Sequence, residues 1–98
     1  MDITHIESTL IQVHQDIQTS GGFASATVQA STCPLLDLPG FDSLLIPVVF
    51  RRVARKLGVT LPADYRVPNL YVTQGGRRRL TIAEIAGEFF QRFSAKAA

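Results

Sequence analysis

From Ile3 onward the apolar residues fall at Ile3, Ile6, Leu10, Val13 and Ile17, in alternating steps of three and four. That spacing keeps them on one stripe of a helix and predicts helix over 3–18. The helix should stop before Ser20-Gly21-Gly22, where two glycines raise the entropy cost of continuing and suit a cap. Residues 20–40, rich in Gly, Ser, Thr and Pro, then read as one long loop, with Leu35, Leu36 and Leu38 expected to fold back onto the core. A second helix is expected over 43–57, capped by Asp42 or Ser43, carrying Val49, Val53 and Leu57 inward and ending at Gly58. Pro47 falls in its first turn, where a missing N–H costs little.

Pro62 and Pro68 bracket a stretch with room only for a turn or short helix, a piece of about 63–67. Gln74-Gly75-Gly76 makes a loop. Thr81-Ile82-Ala83-Glu84 has the capping-box pattern and opens a last helix over 81–94. Its inward stripe is Ile82, Ile85, Ala86, Phe89 and Phe93, with Gln91, Arg92 and Lys96 left to solvent and fraying from Ser94. No segment alternates with a period of two for long enough to predict a strand, and no repeat is present. The pattern predicts an all-α fold: a single domain, 1–98, built as a small three- or four-helix bundle with a long loop between the first and second helices. A monomer is expected, with Ile6, Leu10, Val13, Val49, Val53, Ile85 and Phe89 in its core.

Composition narrows the picture. With 46% hydrophobic and 18% charged residues, the 98-residue chain lies in the globular range and away from disorder. The run from Gln18 to Leu36 carries no charge, but it is too rich in Ser, Thr, Gly and Ala to cross a bilayer. The N-terminus carries acid where a secretory signal needs Lys or Arg, and a cytoplasmic location is expected. The single Cys33 excludes an internal disulfide and a multi-cysteine metal site, and reads as a loop or half-buried thiol. His5 and His14, nine residues apart, point to opposite faces of the first helix, so they cannot share a metal, and both are expected at the surface. Charge is polarised: residues 1–42 sum to −5 and residues 43–98 to +7. Such asymmetry predicts an oriented surface for a partner.

Ser43 is the candidate for chemistry. A hydroxyl at the leading edge of a helix, after a loop, is open to an approaching enzyme and lies near the positive end of the helix dipole. Unpaired N–H groups there would favour an anion such as a phosphodiester. By itself Asp42-Ser43 is also an ordinary N-cap. No His, Cys or carboxylate is placed by sequence to form a triad with Ser43, and G-x-S-x-G is absent, so the chain does not read as an enzyme.

Gly40-Phe41-Asp42-Ser43-Leu44 resembles the Gly-x-Asp-Ser-Leu attachment motif of acyl carrier proteins. A long helix before the serine, a helix after it, Gly58-Val59-Thr60-Leu61-Pro62 and a final helix opened by Thr81-Ile82 extend the likeness over roughly 3–93. The resemblance implies a bundle of acyl-carrier-protein type with 4'-phosphopantetheine, taken from coenzyme A, on Ser43, flanked by Asp42 and Leu44. It further implies a phosphopantetheinyl transferase as partner, and enzymes that load and use an acyl or aminoacyl thioester in fatty-acid or secondary-metabolite biosynthesis. The chain departs from the common members where they carry acids two and five residues after the serine: here stand Leu45 and Val48, followed by Arg51, Arg52, Arg55 and Lys56. Contact between these bases and a basic docking patch would be repulsive, so the departure implies a specialised carrier served by a dedicated ligase or transferase with an apolar patch rimmed by acids. Leu45, Val48, Arg51, Arg52 and Arg55 are its expected docking residues, and the Arg77-Arg78-Arg79 loop either joins that interface or is simply solvated. The identity of the cargo is open at this stage. The alternative is a small basic nucleic-acid-binding module, because Leu80–Ala86 faintly resembles the first helix of a helix-turn-helix, although no recognition helix follows Phe93.

Overall fold

In the computed structural model the described residues are 2–23, 27–73 and 75–97, with side chains described up to Phe93. Helix α1 spans Ile3–Ser20, α2 Pro34–Asp37, α3 Ile46–Lys56 and α4 Ile82–Ala97, and a single 3-10 turn at Ser43–Leu45 leads into α3. Among the described residues there is no strand, only an isolated antiparallel bridge between Val72 and Arg79. No described helix is long and apolar enough to cross a membrane. The radius of gyration, 12.8 Å, matches the ~13 Å of a compact chain of about 100 residues.

Helix α1 lies against both α3 and α4. Asp2 caps it by accepting from the His5 N–H at 2.8 Å. At its other end Phe23 returns its N–H to the Gln18 carbonyl at 2.7 Å, across Gly22 at φ 90°. Only glycine adopts that conformation without strain, and the closure is a Schellman motif. Helix α3 ends the same way, with Val59 donating to the Ala54 carbonyl at 2.8 Å. All seven residues expected in the core are buried there, together with Phe50, Tyr71 and Phe93. The α1 stripe is rotated from its expected position, leaving Ile3 44% exposed and burying His14 and Gln18 instead.

The second helix departs from the expected 43–57. Ser43–Leu45 is 3-10, and the α-helix begins only at Ile46. Pro47 is the cause: it has no N–H to offer the Ser43 carbonyl, which therefore takes the Ile46 N–H one residue earlier. The expected loop over 20–40 contains the short helix α2, started by Pro34 in its first turn. Leu38 is buried as expected, but Leu35 is half-buried and Leu36 points to solvent. The 63–67 piece is a turn, with the Tyr65 N–H donating to the Pro62 carbonyl, and not a helix. Of the expected Gln74-Gly75-Gly76 loop, Gln74 lies outside the described residues, as does the side chain of Lys96.

Helix α4 begins at Ile82, after Thr81, and runs on through the residues expected to fray. The capping box forms: the Thr81 hydroxyl accepts from the Glu84 N–H at 3.3 Å, and the Glu84 carboxylate accepts from the Thr81 N–H at 3.0 Å. Two further N–H groups of the first turn, those of Ile82 and Ala83, donate to the Thr32 and Ala30 carbonyls at 2.8 and 3.0 Å. The loop between α1 and α2 thus supplies the acceptors that a helix start needs. Hydrogen bonding from Arg78 at 2.7 Å, then from the Thr81 amide, lowers the Glu84 pKa to about 2. Its contribution is present above the unfolded value of 4.5 and is lost as pH falls toward 2. Thr81→Ala is expected to cost about 1 kcal/mol, read from the urea midpoint at pH 7. A shift of only a few tenths would mean that the loop carbonyls alone hold this end.

Candidate functional site

Asp42, Ser43 and Leu44 all stand in solvent, Leu44 at 81% exposure. The Ser43 hydroxyl makes no hydrogen bond to another described residue. Asp42, not Ser43, is the cap, accepting from the Leu44 N–H at 2.9 Å. The Leu45 N–H goes to the Asp42 carbonyl at 3.1 Å and the Ile46 N–H to the Ser43 carbonyl. Pro47 has none to give. The three N–H groups that follow the serine, those of Leu44, Leu45 and Ile46, are therefore already used, and the dipole of α3 still favours an anion there.

The expected docking residues divide between two sides of α3. Leu45, Val48 and Arg52 line a groove of about 300 Å³ with Ile17, Phe23 and Gly40. Its position near Ser43 follows from the sequence, since Gly40 opens the motif and Leu45 directly follows it. Phe23 and Val48, two of the exposed large hydrophobic residues, line it, and a third, Leu44, directly follows Ser43 in the chain. Arg51 turns away and donates to the Tyr65 carbonyl at 3.1 Å. With Arg55 it lines a separate recess of about 380 Å³ that includes Val59 and Leu61. A larger recess, about 620 Å³, lies between residues 68–80 and α4. It contains the paired Arg78 and Glu84 and none of the motif residues. All three arginines of the triplet are exposed, and Arg78 is paired with Glu84.

His14 is the chief correction to the expected surface. It is fully buried, as is Gln18, because both continue the row Ile6, Leu10, His14, Gln18 at steps of four. Its Nδ1 lies 2.7 Å from the Leu10 carbonyl, which can only accept, so Nδ1 carries the proton. Nε2 then accepts from the Tyr71 hydroxyl at 2.7 Å. The His14 ring packs on Phe41 at 5.2 Å, and Phe41 stacks on Tyr71 at 5.6 Å. His5, as expected, is exposed.

Burial pushes the His14 pKa from 6.5 down to about 4, partly opposed by the Leu10 carbonyl. The folded state holds His14 neutral while the unfolded chain protonates near 6.5. Stability should be level above that pH and fall as pH drops toward 4, by about 3 kcal/mol in all. Urea unfolding at several pH values from 7.5 to 4.5 measures this slope, which should flatten in His14→Leu. A wild type whose stability does not change over that range would show that His14 is not held neutral.

Cys33 is buried at the start of α2. Burial, together with the nearby Asp37 charge, pushes its thiol pKa up, away from the thiolate a nucleophile needs. No three His, Cys, Asp or Glu residues gather in a metal-binding group among the described residues. Comparison of the chain with protein-family models, with curated proteins and with solved structures found no match.

Proposed function

We propose that the protein is a carrier of acyl-carrier-protein type, bearing 4'-phosphopantetheine on Ser43. The observation that carries this reading is the Ser43 hydroxyl, in open solvent and without a hydrogen bond among the described residues, presented by an Asp42-capped turn at the head of α3 within a helical bundle. A hydroxyl so placed fits attachment, because a transferase can reach it without unfolding the turn. Transfer from coenzyme A forms the bond between Ser43 Oγ and phosphorus as the pyrophosphate P–O bond breaks. Adenosine 3',5'-bisphosphate leaves, and the hydroxyl proton passes to the transferase. The thiol at the end of the arm supplies thioester chemistry, and this chain's own residues present the arm to other enzymes.

Those enzymes would meet Leu44, Val48 and Arg52 first, since these run on from the serine at steps of four and stand in solvent. An apolar patch with an acidic rim fits that surface, and the rim would act mainly on the association rate. Incubation with coenzyme A, Mg²⁺ and a broad-specificity phosphopantetheinyl transferase tests the proposal. Intact mass should rise by one phosphopantetheine, and peptide mapping should place it on Ser43. No addition, or addition at another residue, overturns it.

A further inference from the structure

Asp42, Ser43 and Leu44 have no purchase on the core, so the place of the serine is set by the residues on either side. Downstream lies α3. Upstream, three consecutive residues are each held by a group belonging to, or tied back to, the last turns of α1. Gln18 Nε2 donates to the Pro39 carbonyl at 2.8 Å. The Gln18 backbone carbonyl accepts from Phe23, whose ring covers Gly40 so closely that a Cβ there would lie 2.6 Å from it. Gly40 also has φ 71°, so any side chain at this position meets both strain and the ring. Phe41 is packed between His14 and Tyr71, which are joined by their own hydrogen bond.

Gln18 is 2% exposed. Burying a primary amide is unfavourable unless it is bonded, and an apolar side chain of similar size would fill the same space. What the amide adds is a directed bond to the segment that carries the serine.

We propose that Gln18 is a positioning residue for Ser43: through the Pro39 carbonyl and the Phe23 cover it holds residues 39–41, and so fixes where the hydroxyl is presented to the transferase. This rests on the carrier reading of Ser43. Without the bond the segment samples other positions, and only the fraction in the native one is competent to dock. A reduced competent fraction weakens apparent binding in proportion and leaves the bound complex unaltered. The effect therefore belongs in KM and not in kcat.

Gln18→Met keeps length and shape while removing the donor. It is expected to raise the KM of the transferase for this protein by about two- to tenfold, the usual reach of one hydrogen bond, with kcat unchanged. Phe23→Ala, a change at a partly exposed residue that does not threaten folding, should raise KM in the same sense. Ile85→Val, a core change of comparable cost to global stability, should leave KM alone. Amide hydrogen exchange gives a readout independent of the transferase: Phe41, Leu44 and Leu45 should exchange faster in Gln18→Met but not in Ile85→Val. Equal KM values for wild type, Gln18→Met and Phe23→Ala overturn the proposal, as does an equal rise in Ile85→Val. If wild type accepts no arm at all, the carrier reading fails. Exchange at 41–45 then decides separately whether Gln18 holds the segment, and unchanged exchange there overturns that too.

Discussion

Ser43→Ala is expected to abolish phosphopantetheine addition completely while leaving the fold intact. The loss is total because the transferred phosphorus needs an oxygen nucleophile on the protein, and alanine has none. The fold should survive because the serine side chain stands in solvent without a hydrogen bond among the described residues, and surface changes of this kind usually stay within about 0.5 kcal/mol. The capping carboxylate of Asp42 remains in place to hold the turn. Other exposed hydroxyls serve as controls: Ser8→Ala and Ser31→Ala should accept the arm as wild type does. Ser8 lies within the body of α1, where no loop offers the transferase the same approach. Intact mass after exhaustive incubation reads all three variants at once. An arm on Ser43→Ala at the wild-type extent would move the site elsewhere.

Phe89→Ala is expected to lower the free energy of unfolding by about 3 to 5 kcal/mol. Phe89 is fully buried, with Phe50 at 5.0 Å and Phe93 at 5.4 Å between ring centroids. Truncation removes its apolar burial and leaves a cavity that two large rings on separate helices cannot readily close. Whole domains are stable by only about 5 to 15 kcal/mol, and small ones sit near the lower end. The loss should therefore exceed half of the total stability, leaving about 0 to 2 kcal/mol of an initial ~5. Urea titration followed by helical circular dichroism measures it. A loss below about 1 kcal/mol would mean that Phe50 and Phe93 do not pack against this side chain.

What could be read from sequence, and what could not, divides along physical lines. Helix α4 was legible because its stripe and its capping box are both local patterns, and the box forms between the residues that spell it. The core of α1 was legible for the same reason, but its phase was not. Taking Ile3 and Ile17 as inward placed the stripe slightly off and put His14 outside. The row of steps of four from Ile6 through Gln18 was the available signal, and polar residues at its end concealed it. Tyr71, which completes the buried hydrogen bond, is 57 residues from His14. No spacing rule reaches across that distance. The delayed start of α3 was readable in principle, since a proline four residues after Ser43 must deny that carbonyl its helical donor. The motif itself was visible, whereas the residues that hold it in place come from α1 and from the loop after it.

The same loop carbonyls that receive the N–H groups of Ile82 and Ala83 bear on the order in which the chain can fold. Ala30 and Thr32 precede those donors by about fifty positions, and closing a loop of that size carries a chain-entropy term of about 3.5 kcal/mol. Helix α1, by contrast, is closed at both ends by neighbours within a few residues. The first turn of α4 must wait for a distant segment to arrive before its donors are satisfied. Although nearly all its regular structure is helical, the chain is tied together by long-range contacts, which slow folding relative to a bundle of local hairpins. The middle of the chain and its last helix are thereby joined into one cooperative unit, so loosening the loop also unfastens the helix.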